Sequence, residues 1–154
     1  MVKYGATIDR DGNRVPITTS DAFKTSKTVA FTGAAGLGAQ GTVSLFTVTG
    51  DVLVRVFGVV TESLAGATAT IEVGVAGNTA AIIAQVLGTN LAANDVLVSG
   101  SSPVSVASIA TAPLIVGGGA DIIATVATAD ITDGTITFYC TWRPLSSTGN
   151  VVAA

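Results

Sequence analysis

The feature of this sequence that most constrains its fold is a strict alternation of apolar and polar side chains in short segments. It is clearest in residues 134–142, where every second residue is apolar. Successive side chains of a strand point to opposite faces, so this pattern predicts a strand with one face in a core. The inward set is Ile136, Phe138, Cys140 and Trp142. Pro144 should end the strand, because proline has no N–H to donate to a ladder.

Similar segments recur along the chain, and no long segment has the apolar spacing of a helix. Roughly eight to ten short strands with turn signals between them predict a single all-β domain, either a β-sandwich or a barrel. Eight strands in two sheets would form a jelly roll, so a jelly-roll-like sandwich is the specific expectation. The spacing leaves the strand order open. Three short strands are expected in the second half, at residues 96–98, 104–108 and 114–116.

Turn residues between longer strands predict three hairpins. They pair residues 43–49 with 52–60, residues 68–76 with 79–86, and residues 121–129 with 134–142. The turns expected between these strands are Thr49-Gly50-Asp51, Gly77-Asn78 and Asp133-Gly134. Residues 52–60 are apolar on both faces apart from Arg55, which predicts a strand covered on both sides.

Charged residues make up 11% of the chain and apolar residues 49%. An ordinary soluble domain has about 25% charged residues. Two interpretations fit: a compact, weakly charged monomer, or a protein whose surface is partly buried in permanent contacts. Interface cores are depleted in charge, so the second interpretation is favoured.

Basic residues are concentrated at the start of the sequence. Residues 1–27 hold five of the seven bases and three acids, whereas the remainder is acidic. Turn signals interrupt this part, so we predict an extended arm over residues 1–27 and a β-sandwich domain over residues 28–154. The arm is either a solvated tail or a segment that docks on a neighbouring, more acidic chain. In the second case the contact residues are Lys3, Arg10, Arg14, Lys24 and Lys27.

The sequence offers little for catalysis. It contains no histidine, and its single cysteine, Cys140, is predicted to face the core, so a nucleophile with an activating base is not expected. Asp130 and Asp133 flank a turn; they could hold calcium, but a turn-forming role is favoured. We therefore predict a protein that is not an enzyme, with no catalytic residue, no cofactor and no metal.

Two glycine-rich segments suggest phosphate binding at first sight. Residues 36–41 match GxGxxG, but strand-forming residues follow them, whereas nucleotide binding needs a helix there. Residues 117–119 are three glycines without the Gly-Lys-Ser/Thr ending of a phosphate loop. Both segments are interpreted as permissive turns.

Membrane and nucleic-acid partners are not expected either. A spanning helix needs about 20 largely apolar residues, and the longest apolar run, residues 113–129, is broken by glycines and Asp121. The start of the chain has no hydrophobic signal core, so synthesis and retention in the cytoplasm are expected until assembly. The acidic body, with 5% aromatic residues, does not suggest a nucleic-acid surface.

Several stretches resemble the capsid decoration (head stabilisation or cement) proteins of tailed bacteriophages, which are encoded beside the major capsid protein. The stretches are KYGAT (3–7), TVTGDVLVRVFGV (47–59), ATIEVGVAGNTA (69–80), FYCTWRPLS (138–146) and GNVV (149–152). These motifs are structural and carry no chemistry. The resemblance spans most of the chain and is weakest over residues 94–111.

This resemblance implies a virion structural protein that binds the outside of the phage head and ties capsomers together. The partners would be the major capsid protein and neighbouring copies of the chain, with a trimer favoured. A carbohydrate- or receptor-binding β-module of a head fibre or tail structure is the alternative. An enzyme built on a β-sandwich is a third, less favoured alternative, because histidine and a defined carboxylate pair are missing.

Overall fold

The computed structural model describes residues 23–99 and 113–154 in full, and the backbone of residues 6–8 and 14–16. In these residues the regular structure is almost all strand, with a single 3-10 turn at Gly88–Asn90. The strands are β1 (Ala6–Ile8), β2 (Arg14–Pro16), β3 (Phe23–Ala30), β4 (Gly41–Thr49), β5 (Val52–Ala65), β6 (Thr70–Val75), β7 (Asn78–Leu87), β8 (Val96–Leu97), β9 (Leu114–Val116), β10 (Ile122–Ala127), β11 (Asp133–Pro144) and β12 (Asn150–Ala153). The predicted all-β class is confirmed.

Ten of these strands form two antiparallel sheets that pack face to face as a sandwich. Sheet 1 has the order β12-β4-β10-β6-β7, and sheet 2 has the order β3-β11-β5-β8, with β9 also paired to β5. Strands β1 and β2 pair with each other in a separate two-stranded ribbon. The short strands expected at 96–98 and 114–116 correspond to β8 and β9, whereas the one at 104–108 lies outside the described residues.

The strand order is jelly-roll-like, because the chain crosses from one sheet to the other at almost every connection. With β3 counted first and β8 and β9 taken together, sheet 2 contains the first, eighth, third and sixth strands. Sheet 1 contains the second, seventh, fourth and fifth strands, extended by β12 beside β4. The longest edge strands that remain are β7 in sheet 1 and β3 in sheet 2.

One of the three predicted hairpins is confirmed and two are wrong. Strands β6 and β7 pair across a tight turn, with Val75 opposite Asn78, so the turn lies one residue earlier than predicted. Strands β4 and β5 lie in different sheets, as do β10 and β11. An alternating pattern specifies which face of a strand is buried but not which strand lies beside it, so a turn between sheets gives the same signal as a hairpin.

The core is formed by the inward faces of both sheets and contains no buried polar or charged side chain among the described residues. All four side chains predicted to face inward from β11 are buried. On β5 only one face is buried; the outer side chains Leu53, Phe57 and Val59 are half-buried, so the prediction of a strand covered on both sides is wrong. In β4 the consecutive residues Leu45 and Phe46 are both buried, because the pairing with β10 shifts there.

The predicted boundary between the arm and the sandwich falls inside β3. Residues Phe23–Ala30 pair with β11 along their whole length, so the sandwich begins at Phe23 and residues 23–27 belong to it. The reason is packing: the ring of Phe23 stacks on Trp142 at a centroid distance of 4.8 Å. The indole Nε1 of Trp142 donates to Thr25 Oγ1 at 3.1 Å.

This boundary changes the charge argument for the arm. Residues 1–22 hold three bases and three acids, so this segment has no net charge. The two lysines that made residues 1–27 basic, Lys24 and Lys27, are in β3. An arm that docks on an acidic neighbour through its own positive charge is therefore no longer supported by composition. That residues 1–22 form an arm stays a prediction.

Candidate interaction surface

The described residues contain no obvious reaction centre. They hold no group of three or more His, Cys, Asp or Glu side chains placed to bind a metal ion. Cys140, the single cysteine of the chain, has its side chain buried in the core. In the part of the chain that the structure describes, no helix is long and apolar enough to cross a membrane. The features that remain are surfaces.

Carboxylates in the sandwich mainly organise its loops. Six of the seven acids in residues 23–154 accept a hydrogen bond from another group of the chain, five of them from a backbone N–H. Those five bonds are Gly118 N to Asp51 at 2.9 Å, Ala92 N to Asp95 at 2.9 Å, Val48 N to Asp121 at 3.0 Å, Gln40 N to Asp130 at 2.9 Å and Gly134 N to Asp133 at 2.9 Å. The sixth acid, Glu62, accepts from Thr135 Oγ1 at 3.0 Å. Asp130 and Asp133 thus shape loops, as the favoured interpretation predicted.

Replacing Asp51 with alanine should lower the free energy of unfolding by about 1 kcal/mol, because the Gly118 N–H loses its acceptor. For a chain of this size that corresponds to a fall in melting temperature of about 3 °C, measurable by thermal denaturation. Glu72→Ala is the matched control, since it removes an equal charge from the outer face of sheet 1. Equal shifts in the two variants would contradict a specific role for Asp51.

The glycine-rich segment 36–41 connects β3 to β4, and a strand follows it, as predicted. Gly38 is buried, and its carbonyl oxygen accepts a hydrogen bond from Ile131 N at 2.8 Å. The segment is therefore part of the packing at one end of the sandwich. Gly118, in the second glycine segment, has a φ of 67° and donates to Asp51.

The five residues predicted to contact a partner do not lie together on one described element. Lys3 and Arg10 lie outside the described residues, and Arg14 is in β2, of which only the backbone is described. Lys24 and Lys27 are in β3, on opposite faces of the strand. Lys27 donates through Nζ to the carbonyl oxygen of Ala154, so it joins β3 to the end of β12. Lys24 is exposed and faces away from the core.

Lys24 is part of a surface that we call the sheet 2 outer face, formed by the outward side chains of β3, β5 and β11. Its centre is an aromatic pair: the rings of Phe57 and Tyr139 stack at a centroid distance of 5.4 Å with an angle of 22° between them. The Lys24 ammonium lies 5.7 Å from the centroid of Tyr139. A cation at this distance over a ring is attracted by its quadrupole. The sequence predicted that Tyr139 points outward, but not that Phe57 lies beside it.

The sheet 1 outer face has a different character. Its outward side chains on β4 are hydroxyls, and all of them are exposed: Thr42, Ser44, Thr47 and Thr49. Glu72, half-buried, lies on this face opposite Thr125 of β10. Hydroxyls occur on both outer faces, as in the Thr28–Thr137 contact of sheet 2 at 2.9 Å, but the sheet 2 outer face also carries aromatic rings and cations.

Two further features are a separate ribbon and an apolar cleft. A ribbon of two three-residue strands, β1 and β2, pairs Ala6 with Pro16 and Ile8 with Arg14 but joins neither sheet. A cleft of about 200 Å³ between the β6–β7 hairpin and β9 is lined by apolar side chains, including Ile82, Leu114 and Ile115. Ile115 is 70% exposed, the highest value among the large apolar side chains of the described residues.

Comparisons with known proteins returned no relative: no family model, no curated protein and no solved structure matched the chain.

Proposed function

We propose that this protein is a virion structural protein that decorates the outside of a tailed-phage capsid and stabilises it through protein–protein contacts. The observation that carries the proposal is the ribbon β1–β2, which pairs with itself and with neither sheet. An isolated two-stranded ribbon is only marginally stable in water, so it needs a surface on which to pack. A neighbouring chain in an assembly provides one.

Composition and fold support the same proposal. Charged residues are only 11% of the chain, which is typical of surfaces buried in contacts. Jelly-roll sandwiches are common in capsid proteins, although the fold alone does not assign a function. The identity of the partner, the major capsid protein, comes from the resemblance to decoration proteins. In a shell the same contact is repeated many times, so avidity can greatly exceed one contact.

The test is capsid binding by the full chain and by a variant lacking residues 1–22. We expect the full chain to coat empty capsids and the truncated chain to keep its fold but bind at least about tenfold more weakly, because a multivalent contact loses one of its elements. Co-sedimentation with empty capsids measures binding, and the melting temperature checks the fold. Undiminished binding by the folded truncated chain would reject the arm. Failure of the full chain to bind any capsid of its phage would reject decoration.

A binding module for carbohydrate or a receptor is the second candidate, and the half-buried Phe57–Tyr139 pair on the sheet 2 outer face favours it. Partly exposed aromatic side chains combine an apolar surface with a specific contact geometry, which suits them to contacts with sugar rings. This function is favoured over decoration if the full chain binds host surface polysaccharide while leaving capsids uncoated.

A further inference from the structure

The placement of charge on the sandwich is uneven in a way that the fold does not require. All four cations in residues 23–154 belong to sheet 2: Lys24 and Lys27 in β3, Arg55 in β5 and Arg143 in β11. Sheet 1 carries none of them. The sandwich as a whole is acidic, with four bases against seven acids, so this concentration of positive charge opposes the overall balance.

Three of these cations point to the same side of sheet 2. Register pairs Lys24 with Thr141, and Thr141 with Arg55, so both cations lie in one row across three strands. Arg143 lies in the next outward row, opposite Leu53. Adjacent strands are about 4.8 Å apart and outward residues of one strand about 7 Å apart, so the three backbone positions fall within roughly 10 Å of one another. Lys24 and Arg143 are both exposed, so one acidic partner can contact both of them.

Two carboxylates of the chain stand at the ends of this face, and each accepts a hydrogen bond from another part of the chain. Asp51, bonded to Gly118 N, is two residues from Leu53 and so lies about 8 Å from the backbone of Arg143. Glu62, in β5, is bonded to Thr135 Oγ1 of β11 at the other end. Thr135 and Thr141 are six residues apart on β11, so Glu62 is about 20 Å from the Lys24 row. That separation exceeds the Debye length of about 8 Å in physiological salt, so Glu62 does not neutralise the row.

Beside the cations the face carries an apolar strip on β5 and β11, bordered by the hydroxyls of Ser26 and Thr137. Phe57 and Tyr139 stack at its centre, Val59 lies next to Phe57 along β5, and Leu53 lies beyond Arg55, all four apolar or aromatic side chains being half-buried. Aromatic side chains and arginine are enriched in the cores of protein interfaces, whereas lysine is more common at their rims. A nucleic acid is a poorer match, because three cations on an acidic protein neutralise few phosphates.

We infer that the sheet 2 outer face docks on a protein surface that carries carboxylates around an apolar patch, with Tyr139 and Phe57 in the apolar contact and Lys24 and Arg143 in the charged one. This deepens the proposed function and rests on it for the identity of the partner, which would be an acidic region of the capsid exterior. This contact would act in addition to that of the ribbon β1–β2, which pairs with neither sheet.

Two double variants with equal change in net charge test the inference. Lys24→Gln with Arg143→Gln removes two positive charges from the sheet 2 outer face. Thr42→Glu with Thr47→Glu adds two negative charges to the sheet 1 outer face, at exposed positions of β4. Capsid co-sedimentation should weaken roughly tenfold for the first variant, with a reduced dependence on salt, and should stay near wild type for the second. Equal binding by the two variants would overturn the inference.

A second readout does not depend on capsids. Isotope-labelled protein is titrated with deca-glutamate and, separately, with a ten-nucleotide thymidine strand, and backbone amide shifts are followed by NMR. We expect deca-glutamate to shift amides of β3, β5 and β11 in the wild type and in the Thr42/Thr47 variant, and not in the Lys24/Arg143 variant. No shift on those strands, or stronger binding of the nucleotide strand, would overturn the inference. If these shifts occur but the wild type coats no capsid, the docking surface stands and the capsid assignment falls.

Discussion

Deleting residues 1–27 should abolish the cooperative unfolding transition of the sandwich, whereas deleting residues 1–22 should leave its melting temperature unchanged. The longer deletion removes five of the eight residues of β3, from Phe23 to Lys27. Trp142, buried to all but 7% of its surface, then loses the stacked ring of Phe23 and the hydroxyl of Thr25. Five of the twelve residues of β11, Phe138 to Trp142, also lose their partners on this side.

The expected loss is on the order of 5 kcal/mol, which is comparable to the whole stability of a marginal domain. Circular dichroism during heating measures it, and the deletion of residues 1–22 is the internal control, because β1 and β2 pair with neither sheet. If both truncated chains melt at the same temperature, β3 does not begin at Phe23 and the boundary assigned here is wrong.

Two glycines of the GxGxxG segment should respond very differently to alanine. Gly38 has a φ of 116°, and a Cβ there would overlap the carbonyl oxygen of Ile131 and approach Gly33 N at 3.2 Å. Gly36 has a φ of 73°, and a Cβ there would meet nothing within 4 Å. Gly38→Ala should therefore cost about 3 kcal/mol or more, from steric overlap added to backbone strain. Gly36→Ala should cost only about 1 kcal/mol, from the left-handed backbone.

Urea denaturation of the two variants measures these differences, with Gly36→Ala as the matched control in the same loop. A large difference in the free energy of unfolding would show that glycine is needed at position 38 because residues 33–38 pack against Ile131. Similar stabilities for the two variants would show that the loop adapts and that Gly38 is not required by its contact with Ile131.

The faces of the strands were largely predictable, whereas their neighbours were not. Alternation placed Phe138 and Cys140 inward and Tyr139 outward, and all three predictions are confirmed. The same alternation in β4 and β5 predicted a hairpin, because Gly50 with its φ of 63° suits a tight turn in either arrangement. The choice between turning within a sheet and crossing to the other sheet depends on pairing with β10 and β11, which are far away in sequence.

The interaction surface was predictable only in part. Lys24 and Lys27 were predicted as contact residues, but their charge was assigned to an arm. The alternation of Phe23, Thr25 and Lys27 is too weak to predict a strand. Phe23 and Thr25 are explained only by Trp142, about 120 residues later in the chain. The grouping of Lys24 with Arg55 and Arg143 requires the register of three strands, which no local signal contains.

The central position of β10 and β11 also affects when the sandwich can fold during synthesis. Each lies between strands made much earlier, and β11 joins β3 and β5 of sheet 2. When the first 120 residues have been synthesised, most of the strands are therefore present, but β10 and β11, which lie in the middle of the two sheets, are not. Pairing over such long separations is slow because loop closure must precede it. The sandwich thus becomes compact only after residues 122–144 have been synthesised.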